Sequence, residues 1–302
     1  MHSFIIFLSL LSLTSGAGDW CYDSQEAHCG PSNWSIHFPF CGMSNQSPIN
    51  IETWEAKLDS SLGPINFEGY GDYDEDKEWT IKNNGHSVQV DLTGDITISG
   101  GGLPSTFKAL QFHYHWGTTT LPGSEHTINR VQYPMELHIV HKNEKYSSVT
   151  EASKHQDGLA VLGFIFIESE EENHGSDNVL KALDSVGQNG ATSKLKQFSL
   201  ENMIPNKEKL KKYYRYQGSL TTPGCNEAVI WTVFPEPIQW SKSQLNKFPE
   251  RLFFSGSKPM VKNFRTVQNL KGRMVYVSNS AVRSFHVALL WSVLVWASVL
   301  FN

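Results

Sequence analysis

Gln111-Phe112-His113-Tyr114-His115-Trp116 and Glu136-Leu137-His138-Ile139-Val140-His141 are the stretches on which the reading of this chain turns. Side chains alternate between faces along a β-strand. As strands, the first puts Gln111, His113 and His115 on one face and Phe112, Tyr114 and Trp116 on the other. The second puts Glu136, His138 and Val140 together. Two neighbouring strands of this kind present three imidazoles to one point, with an amide and a carboxylate beside them. Three histidines leave a tetrahedral zinc site one ligand short, and an open fourth position that takes water marks a catalytic zinc rather than a structural one. Such an ion lowers the pKa of its water to about 7, which makes hydroxide available at neutral pH.

A His-x-His pair on a strand is by itself weak evidence, since most such pairs are surface or core residues. The flanking groups strengthen it. Histidines that bind zinc donate their second ring N–H to a fixed partner. Gln111 and Glu136 each stand two residues before a candidate ligand, on the same face, where such partners belong. His141 falls on the opposite face of its strand and reads as a structural histidine.

The rest of the chain is patterned mainly as strands. Val88 to Leu92 alternates. Leu159 to Ile167 is a continuous apolar run between Gly158 and Glu168, as expected of a central strand buried on both faces, and Ala228 to Phe234 is another. The best helical stripe is Val179, Leu180, Leu183 and Val186, within Ser176 to Val186, with Ser176 or Asp177 as its cap. These patterns predict a predominantly β fold with a few peripheral helices. There is no internal repeat and no Pro/Ser-rich linker, so a single domain is favoured.

The ends differ from the middle. Phe4 to Leu13 is an apolar run followed by small residues, which predicts a secretory signal peptide over residues 1–17. Residues 287–301 are a second apolar run. At fifteen residues it is short of the roughly 17–25 that a spanning helix needs. It follows the small residues Ser278, Asn279, Ser280 and Ala281 and a short spacer. Small residues, spacer and apolar tail make a GPI-attachment signal, with the lipid placed on Ser278, Asn279 or Ser280. The expected organisation is a mature domain over residues 18–278 and a removed propeptide over 279–302, with the enzyme held at the outer face of the plasma membrane. The formal net charge of −5 makes a poor nucleic-acid binder. The basic run Lys207 to Lys212 and the acidic run Glu168 to Glu172 both read as solvated surface. Four cysteines in a secreted chain imply two disulfides, with three connectivities open. Asn33-Trp34-Ser35 is a glycosylation sequon that reads as exposed, whereas Asn45-Gln46-Ser47 runs into Pro48 and is expected to stay unmodified.

The histidine stretches closely resemble those of the α-class carbonic anhydrases, and the likeness extends along the chain. Ser47-Pro48-Ile49-Asn50-Ile51 is similar to that family's early signature, and Asn83-Asn84-Gly85-His86 to its proton-shuttle segment. Gly123-Ser124-Glu125-His126-Thr127 and Gly218-Ser219-Leu220-Thr221-Thr222-Pro223 resemble its active-site loops, and Asn263-Phe264-Arg265 a late segment. The matches run in family order from Trp20 to Val277. The four cysteines and two apolar ends are most like the GPI-anchored, extracellular type-IV-like branch.

The resemblance implies one large, twisted, mostly antiparallel central sheet with the metal at the base of a cleft. It implies one Zn2+ per chain on His113, His115 and His138, with Gln111 and Glu136 behind them. The implied reaction is reversible hydration of carbon dioxide to bicarbonate and a proton by zinc-bound hydroxide. Thr221 would orient the hydroxide and Glu125 would orient Thr221. Thr222, Val140, Val161, Leu220 and Trp231 would form the substrate side, with His86 as proton shuttle and Tyr22, Asn84 and Gln89 ordering water. The implied disulfides are Cys21–Cys29 and Cys41–Cys225. A nearby bicarbonate or proton transporter would suit this chemistry as a partner, although no residue specifies one. Two rivals weaken on the residues. A catalytically dead binding protein would not need the intact His113, His115, His138, Glu125 and Thr221. A hydrolase of the His-x-His-x-Asp type fails because Gly117 stands where Asp is required.

Overall fold

A computed structural model describes residues 20–278. The expected signal peptide, the candidate attachment residues Asn279 and Ser280, and the apolar tail lie outside the described residues. Ten strands form the spine of a twelve-stranded sheet: β1 (Lys57–Asp59), β2 (Glu78–Asn83), β3 (Val88–Asp91), β4 (Phe107–Trp116), β5 (Met135–Asn143), β6 (Leu159–Ser169), β7 (Thr192–Lys196), β8 (Tyr214–Gly218), β9 (Val229–Ser241) and β10 (Tyr276–Ser278). Their spatial order is β7-β2-β3-β4-β5-β6-β9-β8-β10-β1, and two short strands, Ile65–Glu68 and Thr97–Gly100, extend the sheet beside β4. The ladder is antiparallel except between β6 and β9 and between β10 and β1, so the sheet is mixed.

The alternating segment and the two apolar runs became β3, β6 and β9. β6 is buried over its first eight residues, as its unbroken apolar sequence requires for a strand covered on both sides. Alternation along the central strands divides the interior into two layers. Leu137, Ile139, Leu162 and Phe164 enter the larger core. Val140, Val161, Trp231 and Val233 enter a smaller one with Ile49, Ile51, Tyr214 and Tyr216.

The predicted helical stripe is present as α1 (Asp177–Ala182) continued by a 3-10 turn over Leu183–Val186, with Val179, Leu180, Leu183 and Val186 all buried. Its expected side-chain cap is not made, since Ser176 caps α1 without a side-chain hydrogen bond. The longest helix, α2 (Lys242–Arg251), was not anticipated. Its start is fixed by a reciprocal capping box between Ser241 and Gln244, and it buries Leu245, Phe248 and Pro249. Pro249 and a mostly polar composition hid it in the sequence.

Both expected disulfides form, Cys21–Cys29 with Cα atoms 5.2 Å apart and Cys41–Cys225 with 4.9 Å. Asn33 departs from its reading as an exposed site. It is half-buried, and its Nδ2 donates to the Ala27 carbonyl at 3.2 Å. Asn45 is also engaged, through Nδ2 to Glu227 Oε2 at 3.2 Å.

Candidate metal centre

β4 and β5 pair antiparallel with His138 opposite His113 and Glu136 opposite His115. The register, together with period-2 alternation, puts the three imidazoles on one face at the sheet's centre. One ring nitrogen from each of His113, His115 and His138 lies within 4.8 Å of the others. Each remaining ring nitrogen is held. His113 Nδ1 meets Gln111 Oε1 at 2.9 Å, His115 Nδ1 meets the Asn263 carbonyl at 2.8 Å, and His138 Nε2 meets Glu136 Oε1 at 2.6 Å. The converging atoms are therefore Nε2 of His113 and His115 and Nδ1 of His138. His115 Nε2 is buried with no hydrogen-bond partner among the described residues, an orphaned lone pair of the kind a metal ion satisfies. Burial, then the neighbouring imidazoles, holds His113 well below the ordinary histidine pKa, and burial lowers His115. Both are kept neutral, the form that binds metal. The donor set fits zinc.

Glu136 anchors the site from behind. Its Oε2 accepts from the backbone N–H groups of Glu125 (2.9 Å) and His126 (2.7 Å), and its Oε1 faces His126 Nδ1 and His138 Nε2, both at 2.6 Å. Burial pushes its pKa up, but the two histidines and their hydrogen bonds outweigh this and hold the carboxyl below the usual carboxylate range. An ionised carboxylate only accepts. His138 Nε2 is consequently the protonated nitrogen, and Nδ1 keeps its lone pair for metal. His126 continues the chain from Nε2 to the Tyr216 hydroxyl at 2.7 Å. His126 and Asn263 both stood inside recognised segments, but their partners are set by contacts 10 and 148 residues away, which no local spacing reveals.

The apolar wall is one rung of the sheet. Val140 pairs with Gln111 on one side and Val161 on the other, and Val161 pairs with Trp231. These residues, with His113, His138, Leu220, Thr221 and Thr222, line a cavity of about 350 Å³. Leu110 and Val149 also line it and were missed. A register shift between Val140 and His141 passes Leu110 by, pairing Gln111 with Val140 and Ala109 with His141. Consecutive residues Leu110 and Gln111 therefore both face the cavity, which strict alternation forbids. Trp231 stands edge-on to His138, ring centroids 4.8 Å apart. Gly163, opposite His138 on β6, leaves this space open: a Cβ there would lie 3.3 Å from Glu136 Oε1 and 3.6 Å from the Trp231 ring.

Thr221 lies buried at the cavity on a loop pinned by two reciprocal contacts between Ser47 and Ser219, both 3.0 Å, and by the Cys41–Cys225 bond. Glu125 Oε1 accepts from Arg265 N at 2.8 Å. Its Oε2 has no hydrogen-bond partner among the described residues, so the expected Thr221–Glu125 bond is not formed. That oxygen lies instead 3.5 Å from His115 Nε2.

His86 differs from the exposed histidine expected. It is partly buried and stacked on Trp20, ring centroids 3.6 Å apart and planes 12° from parallel, and burial lowers its pKa to about 4. Asn84 is exposed and donates to Gln89 Oε1 at 3.3 Å, and Gln89 donates to Asp91 at 2.6 Å. The Tyr22 hydroxyl is buried and has no partner among the described residues. His141 is structural as expected, buried with Nε2 2.7 Å from the Tyr70 hydroxyl and Nδ1 3.3 Å from the Ala160 carbonyl.

Three histidines converging on the face of a large β-sheet, backed by fixed acceptors and bordered by an apolar wall, have the donor set of an open metal site beside an apolar-lined cavity. A family model described as eukaryotic-type carbonic anhydrase matches residues 29–279. Carbonic anhydrase 4 of Rattus norvegicus is 40% identical over 290 residues, 92% of this chain and 92% of the relative. Carbonic anhydrase 15 of Mus musculus is 37% identical over 92% of this chain and 89% of its own. Carbonic anhydrase 12 of Homo sapiens is 39% identical over 87% and 74%. The chain belongs to the eukaryotic-type carbonic anhydrase family, whose reaction is the hydration of carbon dioxide to bicarbonate.

Proposed function

We propose that this enzyme works with one zinc ion held by His113 Nε2, His115 Nε2 and His138 Nδ1. The observation that carries the reading is the convergence of these three nitrogens while every opposite ring nitrogen is held by a fixed partner. When bound there, zinc supplies a water acidified to a pKa of about 7. The residues do the rest. Val140, Val161, Leu220 and Trp231 give carbon dioxide a dry wall. Thr221 fixes the proton direction at the nucleophile, and Thr222 meets the product. Gln111 and Glu136 hold two of the ligand rings in the protonation state that metal binding needs.

His86 carries the proton out, with Tyr22, Asn84 and Gln89 ordering the water between. Stacked on Trp20 and with a pKa of about 4, its ring is about 3 units too acidic to accept a proton efficiently from a donor near 7. The shuttling position is thus one released from Trp20 into solvent, where the ring returns toward the ordinary pKa of about 6.5.

The two disulfides fit an oxidising compartment. Together with the apolar ends they support secretion, removal of residues 1–17 and GPI attachment at the outer plasma membrane. No helix among the described residues is long and apolar enough to cross a membrane. Ser278 is buried in β10 with its N–H and hydroxyl both bonded. The bond after Ser278 would be awkward for a processing enzyme to reach, and Asn279 or Ser280 suits attachment better.

Stopped-flow carbon dioxide hydration, with zinc measured on the same sample, tests the reading. Fast hydration with about one zinc per chain, both lost in His115→Ala, supports it. Bound zinc without hydration, or hydration without zinc, refutes it.

A further inference from the structure

Lys82 on β2 and Asp91 on β3 form an ion pair on the metal face of the sheet. Side chains directly opposite each other in an antiparallel pair share a face. Lys82 stands opposite Gln89, Gln89 opposite His113 and His113 opposite His138, so one rung of side chains runs from the lysine to the candidate ligands. Asp91 stands opposite Gln111 on the next rung, which continues through Val140 and Val161 to Trp231. The pair closes diagonally between the two rungs, Lys82 Nζ donating to Asp91 Oδ2 at 2.6 Å. The side chains are 31% and 41% exposed, and an ion pair this open adds little to stability.

The pair ends a chain of hydrogen bonds that starts at His86. The backbone N–H groups of His86 (3.0 Å) and Ser87 (2.8 Å) donate to Asn84 Oδ1. Asn84 Nδ2 donates to Gln89 Oε1 at 3.3 Å, and Gln89 Nε2 donates to Asp91 Oδ1 at 2.6 Å. A backbone N–H can only donate and an ionised carboxylate can only accept, so the two amides between them have a single consistent orientation. Both Asp91 oxygens are engaged, Oδ1 by Gln89 and Oδ2 by Lys82.

We propose that Asp91 is a positioning residue for proton transfer, which turns the Gln89 and Asn84 amides so that their remaining donors and acceptors meet the cleft water in one fixed pattern. The inference rests on the reading above that Asn84 and Gln89 order the water beside His86. An amide in place of Asp91 has one oxygen for two donors. In Asp91→Asn that oxygen goes to Lys82, because a bond to a charged donor is the stronger one. The new NH2 then meets Gln89 Nε2, donor against donor. If Gln89 turns over to accept, its own NH2 meets Asn84 Nδ2, and Asn84 is held by the His86 and Ser87 N–H groups. The conflict stays in the chain and one bond is lost. Removing the lysine removes the competition: in Lys82→Met/Asp91→Asn the asparagine oxygen is free to face Gln89, and the original orientation returns.

The test compares the mature, zinc-loaded wild type, Lys82→Met, Asp91→Asn and the double variant in stopped-flow hydration. In weak buffer kcat reads proton release, and kcat/KM reads the steps up to hydration. Asp91→Asn should lower kcat about 2–10-fold, the weight of one hydrogen bond, with kcat/KM and Tm unchanged. Lys82→Met should match the wild type, and the double variant should recover kcat. The Gln89 side-chain NH2 resonance in 15N–1H spectra should move in Asp91→Asn and return in the double variant. An unchanged kcat in Asp91→Asn overturns the proposal, as does a fall of kcat and kcat/KM together, which marks general damage. A double variant as slow as Asp91→Asn also overturns it, because that assigns the effect to the lost charge and not to amide orientation. His86→Ala in the same assay separates the two readings. If it leaves kcat unchanged the shuttle reading fails, and the Gln89 resonance alone then decides whether Asp91 orients the amides.

Discussion

Replacing Glu136 with Gln separates what holds the fold from what holds the metal. Four donors converge on this buried carboxylate, two from backbone and two from imidazoles. Gln keeps the shape and one acceptor oxygen, which can still take the two backbone N–H groups. Its NH2 then faces His126 Nδ1 and His138 Nε2, both donors in the native protein. The conflict is relieved if each ring moves its proton to the other nitrogen. For His138 that nitrogen is Nδ1, the atom that faces the other ligands. The substitution should thus cost little stability, about 1–2 kcal/mol for exchanging charge-assisted bonds for neutral ones. Metal must meanwhile compete with a proton at one of its three ligands, and affinity should fall about 10–100-fold, or about 1.4–2.8 kcal/mol. Chelator competition gives the zinc dissociation constant, and denaturant unfolding of the metal-free proteins gives stability. Glu136→Ala supplies the contrast, leaving four buried donors unpaired at about 1–3 kcal/mol each before relaxation. Unchanged zinc affinity in Glu136→Gln would refute the tautomer argument, and a stability loss as large as that of the Ala variant would show that Glu136 mainly braces the fold.

Four other outcomes are expected. His86→Ala should slow turnover in weak buffer and be rescued by imidazole. Trp20→Ala should raise the His86 pKa from about 4 toward about 6.5, followed by NMR titration, and no movement would show that the stack is not what buries the ring. The Cys41–Cys225 bond spans 184 residues, so its loss costs up to about 5 kcal/mol in the chain-entropy model. Because Cys225 N also bonds the Thr222 carbonyl, mild reduction should lower hydration before the circular dichroism unfolding transition, and activity that tracks unfolding would count against that role. His141 is buried and burial lowers its pKa to about 4, so its neutral form is favoured in the fold. That stability is intact above about pH 6.5 and is lost as pH falls from about 6.5 toward 4, by up to about 3 kcal/mol. Stability measured across this window should fall less steeply in His141→Phe.

Period-2 alternation placed His113, His115 and His138 with Gln111 and Glu136 without any tertiary information, because in a strand the facing of a side chain depends only on residue parity. The same argument set His141 aside, and the stripe of Val179, Leu180, Leu183 and Val186 marked α1 for an equally local reason. Readings failed where a local period is broken or a partner is remote. Leu110 joins the cavity wall because a register shift interrupts parity. α2 hid behind Pro249, although the Ser-x-x-Gln capping signal at Ser241 and Gln244 was available. The exposure of His86 was misjudged because its surroundings are made by Trp20, sixty-six residues earlier in the sequence.

The sequence by itself determined the donor residues, their shared face and the apolar strands that bury them, since these follow from side-chain chemistry and strand geometry. Only the tertiary structure decided that β4 and β5 pair with His138 opposite His113, that the Asn263 carbonyl holds His115, that β6 runs parallel to β9 so that Val161 meets Trp231, and that Glu125 turns one oxygen toward His115. Those contacts join residues far apart in the chain. They are selected by how whole strands bury their faces together, an energy that no short stretch of sequence contains.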